Sequence, residues 1–78
     1  MLSSINKIIK NDEFTINIWN KYVCINNFTA IITLESNNVI LLNKDKRIVI
    51  NGNNISINKL LDNEILLSGD VTSIKIGD

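Results

Sequence analysis

An all-β fold is the class that this sequence predicts, and three observations support it. Large apolar residues recur as i, i+2 pairs about every eight residues, the spacing of a strand with one buried face. Turn-forming residues, mostly Asn, separate the pairs. Sixteen of the 78 residues are Ile, a β-branched side chain that packs well on a pleated surface. We therefore predict a single small domain of seven or eight short antiparallel strands, arranged as a sandwich, barrel or roll.

The predicted strands follow eight apolar pairs in chain order. These pairs are Ile16/Ile18, Val23/Ile25, Ile32/Leu34, Ile40/Leu42, Ile48/Ile50, Ile55/Ile57, Ile65/Leu67 and Ile74/Ile76. Asn51-Gly52 is typical of a two-residue hairpin turn, and Asn26-Asn27 suits the same role. Ser68-Gly69-Asp70 predicts a further turn. Glu64 stands directly before an apolar strand.

Two parts of the pattern leave alternatives open. Residues Ile57 to Glu64 break the alternation and predict either one helical turn or a wide loop. The regular step of about eight residues also fits a short β-solenoid, with three strands per coil, as the alternative fold. The scarcity of glycine, with three in the chain, favours the sandwich, barrel or roll.

The N-terminal region, residues 1–12, differs from the all-β body, residues 13–78. Leu2, Ile5, Ile8 and Ile9 are spaced like one face of a helix, so we predict a short amphipathic helix that covers one side of the domain. Lysines interrupt this segment, which argues against a signal peptide, and no apolar run approaches the ~18 residues of a membrane span. We expect a cytoplasmic protein with a reduced cysteine.

The composition offers little for catalysis. The chain has no His and one Cys, so Cys24 has no imidazole to activate it. Its eight carboxylates fall in predicted turns, strand ends or termini, and there is no glycine-rich phosphate loop. We expect no enzymatic activity, no cofactor and no metal site.

Nucleic-acid binding is the alternative function that the composition leaves open. Small β-barrels bind single strands through aromatic residues set within a basic groove. Four aromatic residues lie between residues 14 and 28, and the basic cluster is Lys44, Lys46 and Arg47. Eight basic residues against eight acidic ones give zero net charge, which disfavours this alternative.

Surplus apolar surface points instead to protein contacts. Several strands are apolar on both faces, for example Val39 to Leu42, and Leu66 lies between Ile65 and Leu67. The N-terminal helix, closure of a barrel or another chain must cover the second face. We expect a homo-oligomer or a partner-docking module that uses Trp19, Tyr22 and Leu66, or the exposed edge of the last strand.

Residues 16–76 resemble the YabP/YqfC family of small bacterial sporulation proteins. The resemblance is carried by NIWNKYVCINNFTAII at 17–32, NNVILLN at 37–43, RIVINGNNISINKLL at 47–61 and NEILLSGDVTSIKI at 63–76. Gly52 and Gly69 match the family's glycines, and Glu64 matches its acid before an apolar strand.

This resemblance implies a non-enzymatic protein of the mother cell of a spore-forming bacterium. One branch of the family is linked to spore coat or cortex assembly, and the other to a membrane-embedded sporulation protein. The implied location is the cytoplasm, with membrane association through such a partner. No catalytic residue, cofactor or metal is implied.

Overall fold

The computed structural model describes residues 13–78, which form an all-β domain, as predicted. Six strands make one antiparallel sheet in the order β1-β2-β6-β5-β4-β3. Their bounds are β1 Thr15–Trp19, β2 Tyr22–Asn26, β3 Ala30–Glu35, β4 Asn38–Asn43, β5 Lys46–Leu60 and β6 Glu64–Gly77. The sheet is open, with β1 and β3 at its two edges.

The predicted number of seven or eight strands is wrong because two pairs of predicted strands are continuous. Ile48/Ile50 and Ile55/Ile57 lie on the 15-residue β5, and Ile65/Leu67 and Ile74/Ile76 lie on the 14-residue β6. These long strands pair with each other throughout, across three register shifts. Asn51-Gly52 and Ser68-Gly69-Asp70 are therefore irregular points within strands, and the prediction of turns there is wrong.

Two other turn predictions are also wrong. Asn26-Asn27 does not close a hairpin, because β2 pairs with β1 and β6, whereas β3 pairs with β4. The segment from Ile57 is neither a helical turn nor a wide loop, because β5 continues to Leu60. A short turn follows, in which the Leu61 N–H donates to the Glu64 carbonyl oxygen at 2.8 Å.

Glycine is required where the two long strands bend against each other. Gly69 has a φ of +127°, a conformation that other residues rarely adopt, and a Cβ there would lie 2.5 Å from the Asn54 carbonyl oxygen. A Cβ on Gly52 would overlap the Asp70 carbonyl oxygen. Gly52 on β5 and Gly69 on β6 thus each pack against the backbone of the other long strand.

These bends let both ends of the sheet share one core. The buried cluster is Val23, Ile25, Phe28, Val39, Leu41, Ile48, Ile50, Ile55, Ile65 and Leu67. On β4, the buried pair is Val39 and Leu41 rather than the predicted Ile40 and Leu42. The cross-strand partners decide this, because Val39 lies opposite Ile50 and Leu41 lies opposite Ile48.

Three further predictions concern the β-solenoid alternative, the N-terminal helix and membrane spans. All strand pairs among residues 13–78 are antiparallel and belong to one sheet, so the β-solenoid alternative is wrong. The predicted amphipathic helix at residues 1–12 lies outside the described residues. Within residues 13–78, no helix has the length and apolar character to cross a membrane.

Candidate interaction surface

Two of the three predicted interaction residues meet at the turn between β1 and β2. Trp19 is the last residue of β1 and lies opposite Tyr22, the first residue of β2. Asn20 adopts a positive φ of 21°, and this allows the tight connection through Lys21. Both aromatic side chains are exposed, Trp19 to 54% and Tyr22 to 45%. We call these two residues the aromatic corner.

The aromatic corner lies on the outer face of the sheet, away from the core. Val23 and Ile25 of β2 are buried in the core, so Tyr22 and Cys24 point to the opposite face. Leu66 lies opposite Cys24, and Tyr22 lies opposite Ser68. Tyr22 and Leu66 are therefore diagonal neighbours on one face, a spacing that large side chains can bridge. Leu66 is half-buried.

A polar network continues this outer face beyond Leu66. The Asn26 side chain donates from Nδ2 to Thr15 Oγ1 at 3.2 Å and to Cys24 Sγ at 3.8 Å. Cys24 Sγ donates to Glu64 Oε2 at 3.6 Å, and Lys59 Nζ lies 3.4 Å from the same oxygen. Glu64, predicted as a structural residue, thus begins β6 and joins three strands through its side chain.

This network makes Cys24 a packed thiol. Burial raises the pKa of the Cys24 thiol, and its hydrogen bond to Glu64 and the negative charge of that residue raise it further. The thiol is therefore protonated at neutral pH and donates to the carboxylate. A nucleophilic cysteine requires the opposite shift, towards thiolate.

The predicted free edge of the last strand needs correction, because β6 is central in the sheet. However, β2 covers only Glu64 to Ser68 of one side of β6, and Gly69 N–H donates to the Lys21 carbonyl oxygen at 3.1 Å. From Val71 onwards, β6 pairs with β5 alone among the described strands. The C-terminal half of β6 therefore presents a backbone margin beside the aromatic corner.

Sequence reasoning missed an apolar margin on the other side of the sheet. Ile31 and Leu34 of β3 lie opposite core residues of β4, and Ile57 and Leu60 of β5 lie opposite core residues of β6. Opposite residues point to the same face, so all four face the core side, yet all four are exposed, as is the adjacent Leu61. We call these five residues the β3 seam.

Irregular pairing explains why the β3 seam was missed. A register shift between Ile31 and Thr33 makes the core-facing pair on β3 three residues apart, instead of the predicted pair Ile32/Leu34. A shift between Ile57 and Lys59 does the same on β5. An i, i+3 pair within a strand pattern is the sequence signal that could have found them.

A second margin, the β1 seam, separates β1 from the C-terminal half of β6. A cleft of about 270 Å³ lies there, lined by Ile18, Asn20, Val23, Gly69, Val71, Thr72, Ser73 and Ile74. Ile18 lies opposite Val23, and Ile76 lies opposite Ile48, so both face the core side. Both remain more than half exposed, at 65% and 54%.

The exposed aromatic residues, Trp19 and Tyr22, lie at the opposite end of β2 from the basic cluster. Phe14 and Phe28 share a cleft with Lys44, but Phe28 is buried in the core and Phe14 packs against it. β2 runs from Tyr22 to Asn26, and the next residue, Asn27, shares a cleft with Lys44. Lys46 is paired with Asp78 at 3.3 Å. An aromatic platform within a basic groove is therefore not formed by residues 13–78.

Within residues 13–78, no group of three or more His, Cys, Asp or Glu residues is arranged to hold a metal ion.

No protein-family model, curated protein or solved structure gives a match to this chain.

Proposed function

We propose that this chain is a non-enzymatic assembly or adaptor module that acts through protein–protein contacts. The observation that carries the proposal is the aromatic corner, where Trp19 and Tyr22 lie exposed beside Leu66 on one face of the sheet. Trp and Tyr contribute much of the binding energy at protein interfaces, because they bury large area and lose little conformational freedom.

The neighbouring backbone margin supports the same proposal. The C-terminal half of β6 has a strand partner on one side only within the described part of the chain. Such a margin can accept a strand from another chain, and a Trp–Tyr pair beside it can anchor that strand. Lys75 is the single charged residue between Val71 and Gly77, and the chain has no Pro to block pairing.

The biological setting of the proposal comes from the resemblance to the YabP/YqfC family. The resemblance implies that the module acts in the mother cell of a sporulating bacterium, in coat or cortex assembly or beside a membrane-embedded sporulation protein. The partner in this setting is a protein, either a second copy of the chain or that membrane protein.

Self-association offers the most direct test. Sedimentation equilibrium should be compared for the wild type, Trp19→Glu and Leu66→Lys, with Ile32→Glu as the matched control. Ile32 is an aliphatic residue exposed to 47% on β3, at the far edge of the sheet. We expect the Trp19 and Leu66 variants to weaken association at least tenfold, about 1.4 kcal/mol, and the Ile32 variant to leave it unchanged.

Circular dichroism should first show that each variant is folded. Equal association of all four proteins would contradict the proposed surface. For a hetero-partner, a fluorescent fusion expressed in sporulating cells should concentrate at the developing spore, and Trp19→Glu should disperse it. A uniform distribution of the wild type would argue against the sporulation setting.

A further inference from the structure

We propose that residues 1–12 of this chain cover the β3 seam, with the apolar side chains of Leu2, Ile5, Ile8 and Ile9 as the contacts. The β3 seam is a surface distinct from the aromatic corner, so this inference does not depend on the proposed function. It assigns the exposed core-facing residues of β3 and β5 an occupant within the same chain.

The seam exists because two strand margins face each other without forming a ladder. At one end, the Ile55 N–H donates to the Ser36 carbonyl oxygen at 2.7 Å. At the other end, Ile31 and Leu60 line one cleft together with Leu61. Between these points, β3 pairs with β4 alone and this half of β5 pairs with β6 alone among residues 13–78. The core is therefore open along this line.

The N-terminal segment joins the domain at one end of this opening. The Glu13 carbonyl oxygen accepts a hydrogen bond from Asn27 Nδ2 at 2.7 Å. Asn63 Nδ2 donates to Asn27 Oδ1 at 3.1 Å, and Asn27 N–H donates to the Asn63 carbonyl oxygen at 2.6 Å. Asn63 also lines the cleft with Ile31 and Leu60. The twelve residues before Glu13 therefore start beside the seam.

The length of the segment suits the length of the seam. From Ile31 to Leu34, a strand advances about 10 Å at roughly 3.3 Å per residue. In the helical form that the sequence predicts, residues 2 to 9 would advance about 11 Å at 1.5 Å per residue. The i, i+3, i+4 spacing of the four apolar residues suits a helix and not an added strand.

Charge complementarity supports the β3 seam as the docking surface of this segment. Glu35 ends β3 at one end of the β3 seam, and Asp62 follows Leu61 at the other. Neither residue takes part in the ion pairs found within residues 13–78. The N-terminal segment carries Lys7 and Lys10 against one acid, Asp12. Lys59, the basic residue between Ile57 and Leu60, is already paired with Glu64 at 3.4 Å.

Disulfide trapping tests the proposal at short range. In a Cys24→Ala background, Ile5→Cys is combined with Leu60→Cys to probe the β3 seam. The matched control combines Ile5→Cys with Ile18→Cys to probe the β1 seam. Under mild oxidation, we expect the first protein to form an intramolecular disulfide at least tenfold faster than the control.

Non-reducing gels separate the outcomes. A cross-linked monomer in the first protein supports the proposal. Faster trapping at Ile18, equal rates at both sites, or a cross-linked dimer as the main product would overturn it. The dimer would identify a second copy as the occupant of the seam.

Amide hydrogen exchange gives a second measurement that needs no cross-link. Changing Leu2, Ile5, Ile8 and Ile9 together to Ser should speed exchange at least tenfold at residues 57–61, because these strand amides lose their cover. Changing Ser3, Ser4, Asn6 and Asn11 together to Ala is the control and should leave exchange there unchanged. Equal exchange in both variants would contradict the proposal. A negative result here would leave the association test at Trp19 unaffected.

Discussion

The β1–β2 hairpin and the β3–β4 hairpin lie on opposite sides of the same central strands, β6 and β5. Each inner strand gives the core two buried residues, Val23 and Ile25 on one side and Val39 and Leu41 on the other. Their outer surfaces differ. β2 begins at the aromatic corner and carries the polar network around Cys24, whereas β4 turns apolar side chains outward.

This difference separates what folding requires from what the chain is free to vary. A shared core constrains the inner residues of both hairpins to similar size and shape. Neither the outer face nor the exposed margin of the core side is under this constraint. The exposed Trp–Tyr pair on one hairpin and the open apolar seam beside the other therefore need explanations outside the core. Our two proposals offer a protein partner for the Trp–Tyr pair and the N-terminal segment for the seam.

We expect the largest effect from a substitution at Gly69, where β6 bends between the β1–β2 side and the β3–β4 side of the sheet. Gly69→Ala places a Cβ at a φ of +127° and 2.5 Å from the Asn54 carbonyl oxygen. We expect a loss of about 3 kcal/mol or more in the free energy of unfolding, from backbone strain and steric overlap. Urea denaturation measures it.

Gly77→Ala is the matched control, because a Cβ there meets no heavy atom within 4 Å. We expect this variant to change stability by less than about 0.5 kcal/mol. If Gly69→Ala were as stable as Gly77→Ala, the fold would not require a glycine at the bend in β6.

A smaller effect tests whether the two halves are equally packed. Ile65 lies on the half of β6 that pairs with β2, and Ile48 on the half of β5 that pairs with β4. Both are fully buried. Ile65→Val and Ile48→Val should each cost about 1 kcal/mol in the free energy of unfolding.

Equal costs in one cooperative unfolding transition would mean that both hairpins share a single core. A loss of stability for Ile48→Val without a matching loss for Ile65→Val would mean that the β1–β2 side of the sheet unfolds separately. That result would contradict equal packing of the two sides. Thermal and urea unfolding, each followed by Trp19 fluorescence and by circular dichroism, provide the measurements.

The sequence specified the fold class well and the strand ends poorly. Val23/Ile25, Ile48/Ile50 and Ile65/Leu67 were predicted as inward pairs, and all six residues are buried. The bend at Gly69 was not predictable locally, because Ser68-Gly69-Asp70 has the composition of a turn. Whether such a segment reverses the chain or bends a strand depends on which strand lies opposite, and that is a non-local property.

The candidate surfaces also depend on non-local strand pairing, which the local sequence pattern does not contain. Exposure of Trp19 depends on the place of β1 at the sheet edge, which no local pattern encodes. On β4, apolar residues on both faces left periodicity unable to choose between Ile40/Leu42 and Val39/Leu41. The β3 seam needed knowledge of two register shifts.

The smallest expected effect concerns the polar network that distinguishes β2 from β4. Burial raises the pKa of the Cys24 thiol above its ordinary value of 9.0, so the folded state keeps its proton where the unfolded state loses it. This contribution to stability is complete below pH 9.0 and is lost as the pH rises through the folded-state pKa.

Cys24→Ala lacks this contribution. We therefore expect the stability difference between the wild type and Cys24→Ala to shrink as the pH rises above 9.0. Urea denaturation of both proteins from neutral to alkaline pH measures the difference. A gap that stays constant or widens would show that the thiol is not held protonated by its surroundings.

The strand order also has a consequence for how the chain acquires its structure. β3, β4, β5 and β6 pair each with the next, so their contacts close over short loops. β2 instead pairs with β6, as in the contact of Tyr22 with Ser68, which requires a much longer loop to close. During synthesis the β1–β2 hairpin emerges first, yet Val23 and Ile25 cannot be buried until Ile65 and Leu67 have been made. The β1–β2 hairpin is therefore translated before the other strands but joins the sheet only after β6 has been synthesised. Until then, its apolar residues remain exposed to solvent.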